Sequence, residues 1–150
     1  WLTAGAEDYG FRLWCTEHAE ELLQLGPGWH RGEWWGYKIN RGYGLKTRHF
    51  SLFNVTRWCL PEAVPQVIRV ADDDTQKLQQ HVPACVGVVP ILWCGNFCEL
   101  PIDKLLNTLQ TYGSRAAPLY MNPEGIVVYH VAAGVCFKRT LPNDGHKGKV

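Results

Sequence analysis

The chain has 150 residues, of which 46% are hydrophobic and 19% charged, and these proportions exclude a disordered protein and are typical of a folded globular domain. The formal net charge of +1 predicts no general attraction to nucleic acid or acidic membranes, so any polyanion site has to be a local cluster of charge. The longest apolar stretch, residues 84–94, is too short to span a bilayer and no apolar leader opens the chain, so we expect a cytoplasmic protein without membrane contact.

Hydrophobic periodicity predicts a helix and two strands in the first half of the chain. Residues 7–24 carry apolar side chains at helical spacing with carboxylates opposite, and a Gly-Pro-Gly sequence follows them as a stop signal. Two aromatic strands are predicted at 29–35 and 50–53. Residues 61–83 contain three prolines and three consecutive aspartates, which predicts an exposed excursion with a short helix at 75–80.

The second half of the chain is also predicted to contain both strands and a helix. Residues 85–93 are strand-like, and 101–112 predict a helix, with proline at its first position and glycine just after its last. The apolar runs at 125–131 and 134–139 are joined by two alanines and predict an antiparallel hairpin. A basic tail is expected at 141–150. Strands paired in this way between helices predict a single α+β domain built on antiparallel sheet.

The six cysteines include no Cys-x-x-Cys pair, and only Cys94 and Cys98 are close in sequence. A structural zinc site usually uses two tight ligand pairs, so this spacing argues against one. The pattern favours reduced, mostly buried thiols, as expected in a cytosolic protein.

Two carboxylates and one lysine are the candidate site residues. Glu33 lies in a predicted aromatic strand between two glycines, which would let a ligand approach the backbone. Glu124 precedes the strand of the predicted hairpin, and Lys138 stands near the end of its partner. Mg²⁺ prefers one or two carboxylates together with substrate phosphates, and lysine offers a compact positive charge to phosphate oxygens. Taken singly, each residue is also typical of an ordinary turn carboxylate or a solvated lysine.

Together, and in this order, several motifs resemble the later motifs of the covalent nucleotidyltransferases, the superfamily of ATP-dependent DNA and RNA ligases and mRNA capping enzymes. They are GEWWG at 32–36, FSLFN at 50–54, PEGIVVYH at 123–130 and FKRT at 137–140. GEWWG and RGYGL (41–45) bring the chain closest to the RNA ligase-like proteins of bacteria and their phages. The resemblance implies a ligase-type, ATP-grasp-like adenylation domain of antiparallel sheets flanked by helices.

The resemblance also implies roles for individual residues. Glu33 would lie near the ribose and help to organise the metal, and Phe53, or its neighbour Phe50, would stack on the adenine. Glu124 would hold Mg²⁺ or Mn²⁺ close to the α-phosphate of ATP, and Lys138 would contact that phosphate. The expected partners are nucleic-acid ends, RNA rather than DNA, and the expected state is a monomer.

One motif of the family is missing. In such enzymes a lysine of a Lys-x-Asp-Gly motif attacks ATP, AMP passes to a 5′-phosphate end, and a 3′-hydroxyl displaces it. The only Asp-Gly here is Asp144-Gly145, which no lysine precedes at the required spacing. Because the chain also begins with Trp1, we expect an N-terminally incomplete adenylation domain that is inactive alone. The alternative is a non-catalytic nucleotide- or nucleic-acid-binding module of the same fold.

Overall fold

The structure is a computed structural model, and it describes residues 7–53 and 82–142. The chain divides into two compact units, residues 1–91 and 92–150, which are described separately below. The single domain expected from the sequence stays a prediction. Between them the described parts of the two units contain helices, an antiparallel strand pair and a mixed sheet, so the α+β class is confirmed.

Two predicted surface segments are described only at their ends. Of the excursion predicted at 61–83, only Val82 and Pro83 fall within the described residues, and both are buried; its short helix lies outside them. Of the basic tail predicted at 141–150, the described part includes Leu141, which is 8% exposed. The core of each unit therefore includes a residue from a segment that the sequence predicted to lie at the surface.

The first unit begins with two short helices, α1 (Phe11–Glu17) and α2 (Ala19–Leu23). The single long helix predicted there is wrong, because the backbone leaves the helical region at His18, with φ −107° and ψ 19°. The hydroxyl of Thr16 donates a hydrogen bond of 3.0 Å to the carbonyl of Arg12. Such back-bonding by a threonine bends helices and accompanies the break.

A three-stranded sheet follows the helices. Strand β1 (Gly32–Gly36) and strand β2 (Arg48–Leu52) overlap the two aromatic strands predicted at 29–35 and 50–53, and they pair antiparallel. Strand β3 (Val86–Val88) pairs with β2 in parallel, so this sheet is mixed and not antiparallel throughout. The strand predicted at 85–93 is also shorter than expected. Pro90 has no amide hydrogen and cannot donate to a ladder, which ends the pairing soon after Val88.

The core of the first unit packs one face of this sheet. Leu52 is completely buried. The other buried apolar residues that it contacts are Leu25, Val82 and Val86. Four aromatic rings extend this core towards α1 with centroid separations of 5.1 to 5.8 Å, namely Phe11, Trp14, Trp34 and Phe50. Rings at such distances in tilted or offset arrangements add to the stabilisation from burial.

The helix of the second unit, α3 (Ile102–Tyr112), confirms the prediction from the sequence. Pro101 precedes its first residue, and Gly113, with φ 77°, ends it. Leu106 and Leu109 lie on its buried face. They pack against Ile126 and Leu141 in a small apolar core.

The predicted hairpin is also confirmed. Strand β4 (Gly125–His130) pairs antiparallel with β5 (Val135–Thr140) through a four-residue connection. All residues of β5 are exposed, whereas β4 places Ile126 in the core. Within residues 7–53 and 82–142, no helix combines the length and the apolar character that a membrane crossing requires.

Candidate functional site

The second unit brings two of the predicted site residues into contact. The Nζ atom of Lys138 lies 3.0 Å from Oε2 of Glu124, and the side chains are 49% and 34% exposed. Lys138 stands within β5, opposite Val127. Glu124 lies just before β4, and its carbonyl accepts a hydrogen bond of 3.0 Å from the amide of Leu141. The backbone ladder thus holds the carboxylate next to the ammonium, where water reaches both groups.

Gly125 connects Glu124 to β4 in a conformation that requires glycine. Its φ is +149°, and a Cβ atom there would collide with the carbonyl oxygen of Arg139 and lie 2.7 Å from Cα of Thr140. Strand β5 therefore passes so close to this point that no side chain fits. The glycine sets the position of the carboxylate at the end of the hairpin.

An open groove lies on the other face of the hairpin. It has a volume of about 510 Å³ and is lined by Arg139 and by the start of α3 at 100–104. Because neighbouring residues of a strand point to opposite faces, Lys138 is directed away from this groove. Neither Lys138 nor Glu124 is among the residues that line the groove.

Glu33, the other predicted carboxylate, is the second residue of β1 in the first unit and is exposed. It stands directly opposite Ser51 of β2. Trp35 shares its face by strand alternation and donates a hydrogen bond of 2.9 Å from Nε1 to Oγ of Ser51. The ring of His49 lies 5.5 Å from that of Trp35. The carboxylate thus belongs to a face of polar and aromatic groups that is turned away from the aromatic core.

The glycine before Glu33 serves the fold. A Cβ atom on Gly32 would lie 2.5 Å from Cζ of Phe50, because the phenylalanine ring occupies the space over this glycine. The expectation that this glycine admits a ligand to the backbone is therefore wrong, since a neighbouring side chain already fills the gap.

The two phenylalanines considered for adenine stacking have different surroundings. Phe50 packs at 5.5 Å from Phe11 and 5.7 Å from Trp14, inside the aromatic core. Phe53 follows β2 and is 43% exposed. Its amide donates a hydrogen bond of 2.9 Å to the carbonyl of Arg31, which holds the backbone at the end of β1 and β2. Phe53 is therefore the one of the pair whose ring a base can reach.

The expectation of mostly buried thiols is wrong for the described cysteines. All five are free thiols, and three of them are exposed, namely Cys94, Cys98 and Cys136. The other two, Cys15 and Cys85, are half-buried in the first unit. Among the cysteines that the structure describes, burial is partial at these two positions and absent at the other three.

The structure also shows a polar cluster that the sequence reasoning missed. Nδ1 of His18 lies 2.7 Å from Oε1 of Glu21. The thiol of Cys85 lies beside the same carboxylate, and one ligand atom from each of the three residues lies within 4.8 Å of the other two. The hydrogen bond from His18 lowers the pKa of Glu21 against an opposing effect of burial, and the charge of His18 and the contact with Cys85 add to the lowering. Burial and the nearby Glu21 charge raise the pKa of the Cys85 thiol. The spacing of the first two on a helix was visible in the sequence, but the approach of Cys85 was not.

Comparison of the chain with family models, with curated proteins and with solved structures gives no match.

Proposed function

We propose that the chain is an RNA ligase-like nucleotidyltransferase module that binds ATP and a divalent metal, Mg²⁺ or Mn²⁺, through Glu124 and Lys138. The observation that carries the proposal is the 3.0 Å ion pair between these side chains, which water reaches at the end of a rigid hairpin. A single carboxylate that leaves several water ligands in place is the kind of protein ligation that Mg²⁺ accepts when phosphates supply the rest.

The ion pair would exchange partners when the metal nucleotide binds. The Glu124 carboxylate would turn to the metal ion, and the Lys138 ammonium would turn to a phosphate oxygen. Each charge therefore keeps an opposite charge beside it, so that neither is left uncompensated. The short ladder and the constrained Gly125 limit how far the carboxylate can move, which reduces the entropy lost on binding.

Other parts of the resemblance belong to the same proposal. The ligase-type adenylation fold, the ribose and metal role of Glu33, the stacking role of Phe53 and the preference for RNA ends stay predictions. The exposed ring of Phe53 is compatible with stacking, since a base offers its π-face to an accessible aromatic side chain.

The joining reaction itself needs a nucleophile. No Lys-x-Asp-Gly motif occurs in the 150 residues, so under this proposal the adenylated lysine has to come from outside the given sequence. The same absence favours a second candidate function, a non-catalytic nucleotide- or nucleic-acid-binding module. We expect the chain alone to form no covalent adenylate with labelled ATP and Mg²⁺, and label that survives denaturation would contradict this expectation.

Calorimetric titration of the 150-residue chain with ATP tests the binding site, with and without Mg²⁺. We expect metal-dependent binding that Glu124→Gln and Lys138→Met each weaken by at least about tenfold, the equivalent of ~1.4 kcal/mol. Glu99→Gln and Lys104→Met are matched controls, because both residues are exposed in the same unit and lie outside the pair. Their affinities should stay within about twofold of the parent.

Two results would overturn the proposal. One is the absence of metal-dependent ATP binding, and the other is binding that both site variants leave unchanged. Competition by 5′-phosphorylated RNA and DNA oligonucleotides then tests the preference for RNA ends, which fails if DNA competes equally well.

A further inference from the structure

His18, Glu21 and Cys85 form a cluster of three metal-ligating side chains in the first unit. One ligand atom from each lies within 4.8 Å of the other two. All three residues are partly buried, and the side chains of His18 and Glu21 are 31% and 40% exposed. An imidazole, a carboxylate and a thiol together match the ligand types that bind zinc in proteins.

Separate elements of the fold hold the three side chains in place. His18 stands at the break between α1 and α2, where its amide donates a hydrogen bond of 3.0 Å to the carbonyl of Trp14. Its ring packs 5.3 Å from the ring of Trp14, which belongs to the aromatic core. The helix break thus presents His18 and Glu21 towards the same point.

Cys85 reaches that point from the sheet. It lies just before β3, where the amide of Val86 donates a hydrogen bond of 2.9 Å to the carbonyl of Pro83. Cys85 also packs against the buried residues of the first core. Its position therefore depends on the parallel pairing of β3 with β2 and on the packing of the first core.

We propose that His18, Glu21 and Cys85 bind one Zn²⁺ ion, with the fourth position of a tetrahedral site open to water. Zinc binds nitrogen, oxygen and sulfur at about 2.0 to 2.3 Å, which separates the ligand atoms of a tetrahedral site by roughly 3.3 to 3.7 Å. The His18–Glu21 contact of 2.7 Å therefore has to open by roughly 0.6 Å, and separations that approach the 4.8 Å limit have to close by about 1 Å when the metal binds. The proton of the Cys85 thiol passes to solvent when the thiolate binds the metal.

The partial exposure of the cluster suits an open fourth position. Sites with three protein ligands keep a coordination position for water or substrate, whereas sites with four ligands are closed and structural. A polar cluster without metal is the simpler role for the same atoms, with Glu21 accepting a hydrogen bond from His18 and lying beside Cys85. The two roles differ in whether the thiol becomes a metal-bound thiolate, and that difference can be measured.

This inference concerns the first unit and does not rest on the nucleotide site proposed for Glu124 and Lys138. Zinc ligation at His18, Glu21 and Cys85 can be present whether or not the hairpin binds ATP. The experiment below uses no nucleotide, so its outcome is independent of the proposed function.

Titration of the reduced 150-residue chain with Co²⁺ tests the site, because a thiolate bound to Co²⁺ produces a charge-transfer absorption band in the near ultraviolet. We expect one equivalent of Co²⁺ to produce the band and Zn²⁺ to displace it. Cys85→Ser, which changes the side chain by one atom, should abolish the band. His18→Gln and Glu21→Gln should each weaken binding by at least about tenfold.

Cys15→Ser and Glu20→Gln are the matched controls. Cys15 is half-buried like Cys85 and belongs to the same unit, and Glu20 is the neighbour of Glu21 on α2. Both variants should keep the band and the affinity within about twofold. Far-ultraviolet circular dichroism checks that each variant folds. If His18→Gln does not fold, the two single variants Cys85→Ser and Glu21→Gln are sufficient to test the site.

Three outcomes would overturn the proposal. They are no saturable Co²⁺ binding, binding without a thiolate band, and a band that survives Cys85→Ser. The last result would assign the metal to another cysteine, with the exposed Cys94, Cys98 and Cys136 as the alternatives.

Discussion

Lys138 and Glu124 form an ion pair of 3.0 Å across the end of the β4–β5 hairpin. Exposed pairs of this kind contribute about 0 to 1 kcal/mol to stability, because water and salt screen them and two long side chains lose freedom. The ion pair between Glu124 and Lys138 is therefore expected to contribute little to the stability of the fold. Its accessibility suits an exchange of partners with a metal ion and a phosphate.

A double-mutant cycle with Glu124→Gln and Lys138→Met measures what the pair contributes. We expect a coupling of about 0 to 1 kcal/mol in the free energy of unfolding, which falls as salt is added. Urea unfolding of the four proteins at low and high salt provides the measurement. A coupling above about 2 kcal/mol, independent of salt, would show instead that the pair mainly holds the hairpin together.

Gly125→Ala should destabilise the second unit by at least about 2 kcal/mol, because the φ of +149° is unfavourable for alanine and its Cβ would meet the backbone of β5. Gly134→Ala is the matched control. Gly134 also has a positive φ, of +63°, but no atom lies within 4 Å of its added Cβ. The control should cost only about 1 to 2 kcal/mol, the strain of the left-handed conformation.

Urea unfolding, with hydrogen exchange of the β4 and β5 amides, measures both glycine variants. An equal loss of unfolding free energy for the two substitutions would contradict the prediction, because the close approach of β5 to Gly125 would then add nothing to the strain of the backbone.

Leu52→Ala should cost about 2 to 5 kcal/mol, because it leaves a cavity at the most deeply buried side chain of the first unit. Leu23→Ala makes the same chemical change on α2, where the side chain is 78% exposed. That control should change stability by no more than about 0.5 kcal/mol. Thermal and urea unfolding measure both, and a small loss for Leu52→Ala would contradict the core described here.

Cysteine alkylation should separate the five described thiols into two groups. Burial raises the pKa of Cys15 and Cys85, with the charge of Asp8 adding to the effect at Cys15 and that of Glu21 at Cys85. A raised pKa leaves less of the reactive thiolate at a given pH, so alkylation at these two positions begins at higher pH. The exposed Cys98 should react quickly.

Pulses of iodoacetamide between about pH 7 and pH 10, followed by peptide mass spectrometry, measure each thiol separately. Asp8→Asn should speed the alkylation of Cys15 and leave that of Cys98 unchanged. Equal rates for Cys85 and Cys98 in the folded chain would contradict the prediction.

Local sequence signals were sufficient where an element depends on its own residues. The proline at the start of α3 and the glycine after its end predicted this helix at 101–112, within one residue of the observed Ile102–Tyr112. The hairpin was equally readable, since two apolar runs with a short connection can only pair with each other. That pairing places Glu124 and Lys138 towards the same end of the hairpin, and only the structure shows the 3.0 Å contact between them.

Local sequence signals could not predict the helix break at His18 or the parallel pairing of β3. A continuous apolar pattern over α1 and α2 predicted one helix. In the structure the helix breaks at His18, where the hydroxyl of Thr16 donates a hydrogen bond to the carbonyl of Arg12 and the ring of His18 packs on that of Trp14. The direction of β3 depends on a partner far away in the sequence, to which periodicity is insensitive.

The sequence by itself determined the α+β class, the α3 helix, the β4–β5 hairpin and the charge types of the candidate residues, because these depend on local spacing and side-chain chemistry. Only the tertiary structure decided that Phe53 is more accessible than Phe50, that Gly32 and Gly125 make room for the chain itself, and that Cys85 meets His18 and Glu21. Each of these depends on which distant segments pack together, and packing is decided by the whole fold.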